Sequence, residues 1–163
     1  MTEARATLKN SIGNRYDMPP NSGDSIPDVG LNEAYVNQGT WIFYDSSFTG
    51  NGGNFMVVRE GDGNVELGFN CVSAREVDYQ SDAVALFEHY NFYGVTKTYV
   101  NSASELEGFN SGVSSALIFP SAKWDLYSEA NFLGLSSQRG PGDYPSAEDL
   151  GLPNDTVKSI RRA

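Results

Sequence analysis

The sequence predicts an all-β protein built from repeated units, and three observations support this. Short runs rich in Val, Ile, Phe and Tyr alternate with clusters of Gly, Asn, Asp and Ser, which is typical of a β-sandwich. Helical periodicity is scarce, and we expect only a brief helical turn at 145–150, with Pro145 at its first position. A hairpin pattern also recurs along the chain. The clearest predicted strands are 41–44, 54–58, 84–87 and 96–100.

The recurring hairpin pattern is an aromatic residue, four further residues, Phe, one residue and Gly. It begins at Phe43, Phe87 and Tyr127. An aromatic side chain on one strand is expected to pack over a tight turn, and Gly supplies either a positive φ or room for the ring. Each copy is followed by a polar loop that leads into an apolar strand. These loops are 69–74, 110–115 and 154–159.

An additional unit at the start of the chain is expected from spacing alone. When the strand ends at Val36 and Ile118 are aligned, 28–33 falls under 110–115, and counting back places a first strand at residues 1–5. The aromatic hairpin is missing there, so this unit is a degenerate copy. The predicted units are 1–37, 40–78, 83–119 and 123–163, folded in pairs as an N-terminal domain (1–78) and a C-terminal domain (83–163).

This arrangement resembles the βγ-crystallins, whose domains carry the same aromatic hairpin in each of two Greek keys. The run 142–161 is similar to the second half of a crystallin key. The resemblance covers 40–163 by motif and 1–39 by spacing. It implies two βγ-crystallin domains, each a sandwich of two four-stranded Greek-key motifs.

Composition narrows the possible partners and location. The 163 residues include 11 Lys plus Arg against 21 Asp plus Glu, for a formal charge of −10. This balance argues against nucleic acid and anionic membranes as partners, and it is compatible with calcium. A lone Cys71 and a lone His89 exclude an intramolecular disulfide and sites built on several Cys or His. The free thiol and an N-terminus without an apolar core predict a cytoplasmic protein.

The resemblance also implies calcium sites in the polar loops. Related proteins carry a loop written [Asn/Asp]-[Asn/Asp]-x-x-[Ser/Thr]-Ser, which supplies a carbonyl from its third position and a hydroxyl from its fifth. The hairpin of the neighbouring repeat adds further oxygens. Hard oxygen ligands of this kind suit calcium, and few carboxylates converge, so we expect an affinity of about micromolar or weaker. The candidate ligands are Ser111, Gly112 and Ser114 with Ser128 and Glu129 of the partner hairpin, and then Asn70, Cys71 and Ser73.

The other two loops match less well. In the fourth unit Asn154, Asp155 and Ser159 fit, but Lys158 stands at the hydroxyl position, and an ammonium repels a divalent cation. We therefore predict that this half-site does not bind calcium. In the first unit, Asp28 and Asn32 with Asp45 opposite could supply ligands, whereas Val29 departs from the pattern. For every loop, the alternative is that these polar side chains simply cap turns.

The predicted function is that of a non-enzymatic structural protein that binds calcium in at least one loop and is stabilised by it. We expect a monomer whose two domains pair within the chain. The first alternative is a recognition module that binds carbohydrate or another surface ligand through Trp124, Tyr127 or Tyr144. The second is a carboxylate-based hydrolase, although no nucleophile elbow or phosphate-binding loop is present and His89 is expected in a surface turn.

Overall fold

The computed structural model describes residues 4–18, 23–50, 52–77, 82–109 and 112–163. Its contacts divide the chain into two compact units, Met1–Asp78 and Tyr79–Ala163. The described strands of the first unit are β1 (Ala6–Lys9), β2 (Arg15–Met18), β3 (Gly23–Ser25), β4 (Glu33–Val36), β5 (Thr40–Tyr44), β6 (Phe55–Arg59), β7 (Val65–Glu66) and β8 (Ser73–Val77). Those of the second are β9 (Val84–Phe87), β10 (Thr96–Tyr99), β11 (Ser115–Ile118), β12 (Trp124–Glu129), β13 (Leu133–Arg139), β14 (Gly142–Tyr144) and β15 (Ser159–Arg162).

Each unit contains two antiparallel sheets. In the first unit the strand orders are β2-β1-β4-β7 and β3-β8-β5-β6. In the second unit they are β10-β9-β11-β14 and β13-β12-β15, and Ala103 forms a bridge to Ile160 at the outer side of β15. In three of the four halves the third strand (β3, β7 or β14) pairs with the sheet of the other half, and in the remaining half the Ala103 bridge takes its place. This exchange defines two interlocked Greek keys per unit, and we number the four keys in chain order.

The predicted all-β fold is therefore confirmed, with one error in the first key. Its first strand is Ala6–Lys9, whereas the spacing placed it at residues 1–5. The difference arises because the first hairpin is short and lacks the aromatic turn of the other keys. Asn10 closes this hairpin through its side-chain oxygen, which accepts hydrogen bonds from the N–H groups of Ile12 and Asn14.

Apolar side chains on the inner faces of the strands form one core in each unit. Trp41, Phe43 and Leu8 are fully buried in the first core, and Trp124, Leu126 and Ile160 are fully buried in the second. Burial of such side chains is the main favourable contribution to folding.

The aromatic hairpins fold as corners in which two rings meet over a tight turn. Phe87 and Phe92 pack edge to face with their ring centroids 5.2 Å apart, and Tyr127 and Phe132 do the same at 5.7 Å. Phe92 and Phe132 adopt positive φ angles of 63° and 61°. A bulky residue in this conformation is rare, so packing must hold it in place.

In the second key the corner begins one residue later than the sequence pattern indicates. Tyr44, rather than Phe43, packs against Phe48, with ring centroids 5.9 Å apart. Phe43 instead points into the core. Arg75 covers the corner, with its guanidinium carbon 4.8 Å from the centre of the Phe48 ring.

The single described α-helix, α1 (Ala147–Leu150), is a short turn in the fourth key. Ser146 is its N-cap, because the Ser146 side chain accepts a hydrogen bond from the Asp149 N–H. Pro145 therefore precedes the cap, and its predicted place inside the helix was wrong. No helix in the described part of the chain is long and apolar enough to span a bilayer.

Candidate metal site

A buried serine at the start of the last strand anchors each aromatic hairpin of the second unit. The Ser115 hydroxyl donates to the His89 carbonyl oxygen at 2.6 Å and accepts from the Phe92 N–H at 3.1 Å. Ser159 makes the same pair of bonds in the fourth key. The hydroxyl of the sixth loop residue thus forms hydrogen bonds with the hairpin backbone of its own key, and it is not available as a metal ligand.

Ser73 occupies this structural position in the second key. It pairs with Tyr44 across the sheet, as Ser115 pairs with Phe87, and its hydroxyl donates to the Ser46 carbonyl oxygen at 2.5 Å. The loop alignment made from the sequence was therefore shifted by one residue, because it placed Ser73 at the fifth position. The fifth residue of this loop is Val72, which offers no side-chain oxygen.

The fifth residue of the third loop, Ser114, reaches the loop of the other key. Its hydroxyl lies 2.9 Å from both Asn154 Oδ1 and Asp155 Oδ1. Ser114 is only 3% exposed, and the Asn154 amide also donates to Asp155 Oδ2 at 3.2 Å. A hydroxyl has one proton and can donate to only one of these two acceptors at a time. Asn154 is exposed and Asp155 is half-buried, so the cluster is open to solvent on their side.

The backbones of the two loops also meet directly. Gly112 has a φ of +87°, and a Cβ on this residue would lie 2.7 Å from the Asp155 carbonyl oxygen. Only glycine fits both the conformation and the space. Gly112 therefore allows the approach that brings Ser114 to Asp155.

The hairpin of the third key contacts the fourth key near this oxygen cluster. The Asn91 N–H donates to the Pro145 carbonyl oxygen at 2.8 Å, which joins the hairpin to the fourth key. Burial, then the negative charges of Glu148 and Asp155 and a hydrogen bond to Glu148, raise the pKa of the adjacent Tyr90. The carboxylates of Glu148 and Asp155 thus make the surroundings of Tyr90 negative.

The predicted ligands of the partner hairpin do not join this cluster. The Ser128 hydroxyl accepts from the Leu135 N–H at 2.8 Å, and the Glu129 carbonyl accepts from Ser159. In the described part of the chain, no hydrogen bond joins Ser128 or Glu129 to Ser114. Ser111 lies outside the described residues.

Lys158 is exposed, and its backbone N–H donates to the Tyr127 carbonyl oxygen at 2.8 Å. The structure brings Ser114 of the other loop to Asn154 and Asp155, and the effect of Lys158 on calcium binding stays a prediction. A sequence read one loop at a time cannot show this exchange. The missed signal is the pair of adjacent oxygen side chains at 154–155 combined with a serine at the fifth position of the preceding key.

Asn70 and Cys71, the candidates in the second key, lie in different surroundings. Asn70 is exposed and lines a cleft in the first unit. Cys71 is fully buried, with its N–H donating to the Leu31 carbonyl oxygen at 2.7 Å. Among the residues that the structure describes, no three His, Cys, Asp or Glu side chains cluster as metal ligands.

We predict that Cys71 is unreactive in the native protein. Burial raises the pKa of its thiol from 9.0 to about 12, which lowers the thiolate population roughly a thousandfold. Labelling with Ellman's reagent should therefore be about a thousandfold slower in the native protein than in urea at the same pH. A native rate close to the unfolded rate would contradict the buried position of Cys71.

The aromatic residues suggested for carbohydrate recognition are buried to different extents. Trp124 is fully buried, Tyr127 is 8% exposed and Tyr144 is half-buried. Trp124 packs in the core and Tyr127 in the hairpin corner, so of these three residues only Tyr144 leaves part of its ring to solvent.

Comparisons with known proteins agree with this architecture of paired Greek keys. The Beta/Gamma crystallin family model matches residues 83–163. A Beta/gamma-crystallin of Ciona intestinalis is 33% identical over 81 residues, which span 48% of this chain and 95% of that protein. The chain belongs to the βγ-crystallin family. The structure of geodin, a βγ-crystallin from Geodia cydonium, is similar over 99% of this chain and 100% of its own, with 32% identity and a TM-score of 0.83.

Proposed function

We propose that this protein is a non-enzymatic structural βγ-crystallin that binds calcium in its C-terminal unit and is stabilised by the ion. The observation that carries the proposal is the contact of one hydroxyl, Ser114 Oγ, with two acceptor oxygens of the other key, Asn154 Oδ1 and Asp155 Oδ1. A cation can coordinate all three oxygens at once, whereas the single hydroxyl proton cannot satisfy both acceptors.

The mixed oxygen set suits calcium better than magnesium, because magnesium demands near-ideal octahedral geometry and usually keeps several of its waters. Calcium accepts carboxylate, amide, hydroxyl and carbonyl oxygens at 2.3–2.6 Å in flexible geometry, and ligands at right angles around it are about 3.4 Å apart. The 2.9 Å separations around Ser114 require only a small outward shift. The site holds no thiolate or imidazole, which soft and borderline metals prefer. One carboxylate and neutral oxygens give a modest affinity, because waters must complete the shell.

The site differs from the one that the sequence alone favoured. Ser114 remains a proposed ligand, with Asn154 and Asp155 of the fourth key replacing Ser128 and Glu129 as its partners. The carbonyl of Gly112, whose backbone contacts Asp155, remains a proposed ligand, and so does Ser111. Because the ligands come from two keys, binding would link the keys and favour the folded unit by mass action.

Calorimetric titration of calcium into chelator-treated protein tests this proposal. We expect one C-terminal binding event that weakens at least about tenfold in Asp155→Asn and in Ser114→Ala. Asn tolerates the φ of +59° at this position, so Asp155→Asn removes charge without disturbing the backbone. Ser136→Ala and Glu105→Gln, both at exposed positions, are the matched controls.

Two results would contradict the proposal. One is the absence of binding heat in the wild-type protein together with an unchanged NMR spectrum on adding calcium. The other is binding that is equally strong in both site variants.

The protein is also proposed to be cytoplasmic and monomeric, in keeping with its free buried thiol and its negative charge.

A further inference from the structure

The first unit contains a cleft at the place that corresponds to the proposed calcium site of the second unit. Glu33 is the register partner of Lys9 at the end of β1, and Ser115 is the register partner of Phe87 at the end of β9. Glu33 is therefore equivalent to Ser115, and the preceding residue, Asn32, is equivalent to Ser114. In the same way the register of Ser73 places Phe69 at the position of Asp155. A cleft of about 420 Å³ lies between these residues.

The lining of this cleft is anionic and rich in hydrogen-bond acceptors. It includes Ser11 from the first hairpin, Asn32 and Glu33 from the start of β4, Glu66 from β7, and Phe69 and Asn70 from the second loop. The lining contains two carboxylates and no cationic side chain, and Phe69 contributes an aromatic ring that is only partly buried.

The two carboxylates lie opposite each other on neighbouring strands. Glu33 and Glu66 are register partners in the antiparallel pair of β4 and β7, an arrangement in which like charges repel. Lys9 Nζ lies 3.4 Å from Glu33 Oε1 and offsets one charge. Within the described residues Glu66 has no ion-pair partner.

This lining does not suit a second calcium ion of the same kind. Phe69 replaces the carboxylate of Asp155, Asn32 replaces the hydroxyl of Ser114, and the cleft has a volume in the range of organic ligand sites rather than of a single ion. A ligand that complements it must be cationic, must donate several hydrogen bonds and must present a flat face to an aromatic ring. A guanidinium group has these three properties.

We propose that this cleft binds a guanidinium group, with Glu33 and Glu66 accepting its N–H donors and Phe69 contacting its face. The planar donor array can serve two carboxylates on one side of a sheet, and the amides of Asn32 and Asn70 offer further acceptors. Lys9 competes with the ligand for Glu33. The group comes either from a small guanidino compound or from an arginine side chain of a partner protein.

NMR titration of the full chain with N-acetylarginine amide, in the presence of a calcium chelator, tests the proposal. We expect saturable shifts of the amide signals of cleft residues, and no such shifts with N-acetylcitrulline amide, which has the same shape and no charge. Because calcium is absent, the result does not depend on the calcium site. A peptide with one central Arg among Gly and Ser residues distinguishes the sources: tighter binding by more than about tenfold indicates a protein partner, and equal binding a small compound.

Two variants are expected to change the affinity for the guanidinium group in opposite directions. A general loss of folding would weaken binding in both, so the pair separates binding from folding. Glu66→Gln should weaken the complex about fivefold, and Lys9→Gln should strengthen it about threefold, because it removes the competing ammonium. Glu105→Gln is the charge-matched control in the other unit. Equal response to the citrulline derivative, shifts confined to residues outside the cleft, or unchanged affinity in Glu66→Gln would each overturn the proposal.

Discussion

Replacing Phe92 by Ala is expected to destabilise the C-terminal unit by about 3–5 kcal/mol. The ring is fully buried and packs edge to face against Phe87, so its removal leaves a cavity between the hairpin and the sheet. Urea unfolding followed by fluorescence provides the measurement, since Trp124 lies in the core of this unit.

The matched control is Phe132→Ala, at the same position of the fourth key. Phe132 has nearly the same φ, 61° against 63°, so any backbone effect of the substitution cancels between the two variants. Its ring is only partly buried, and we expect about half the loss seen at Phe92. Equal losses at the two positions would show that burial of the ring does not determine the strength of the corner.

Replacing Ser115 by Ala is expected to cost about 2–4 kcal/mol. The change removes the hydroxyl that bonds the partly buried His89 carbonyl and the buried Phe92 N–H, and loss of a buried hydrogen-bond partner costs about 1–3 kcal/mol. Calcium affinity should change little, because the Ser115 hydroxyl faces its own hairpin. The same urea unfolding experiment measures the loss.

The adjacent residue provides the contrasting variant. Ser114→Ala should change stability in chelator by less than about 1 kcal/mol, since its hydroxyl contacts the side chains of Asn154 and Asp155, which lie in a loop. It should instead weaken calcium binding. If both serine variants lowered stability equally in chelator, the assignment of Ser115 to structure and Ser114 to the ion would be wrong.

The fold was predictable because the hairpin corner has a strong local signature. The hairpin pattern combines two aromatic residues and a glycine at fixed spacing. Its three copies in the chain established the repeat length and therefore the number of keys. The register of the second key was not predictable. Phe43 and Tyr44 are adjacent aromatics, and only Phe43 has the four-residue spacing to Phe48. The pairing of Tyr44 with Ser73 across the sheet, which places Tyr44 at the corner, is not visible in the sequence.

The candidate site was only partly predictable for a related reason. A loop motif identifies which residues carry oxygen, but the partner of Ser114 depends on how two keys pack. The backbone of Asp155 lies against Gly112, where no side chain stands between the two loops, and this brings Ser114 to the opposite loop. No local pattern encodes a contact between residues so far apart in the chain. The cleft near Glu33 and Glu66 was missed because the strand pairing that places these residues side by side is not local.

The most direct test of the account is the thermal unfolding of the C-terminal unit in calcium and in chelator, with wild-type protein and Asp155→Asn compared. At a free calcium concentration about a hundredfold above the dissociation constant, binding adds about 2.7 kcal/mol, which corresponds to a rise in Tm of roughly 10–20 °C for a unit of this size. The account predicts this rise in the wild-type protein and its loss in Asp155→Asn. An identical Tm in calcium and chelator, or an equal rise in both proteins, would contradict it.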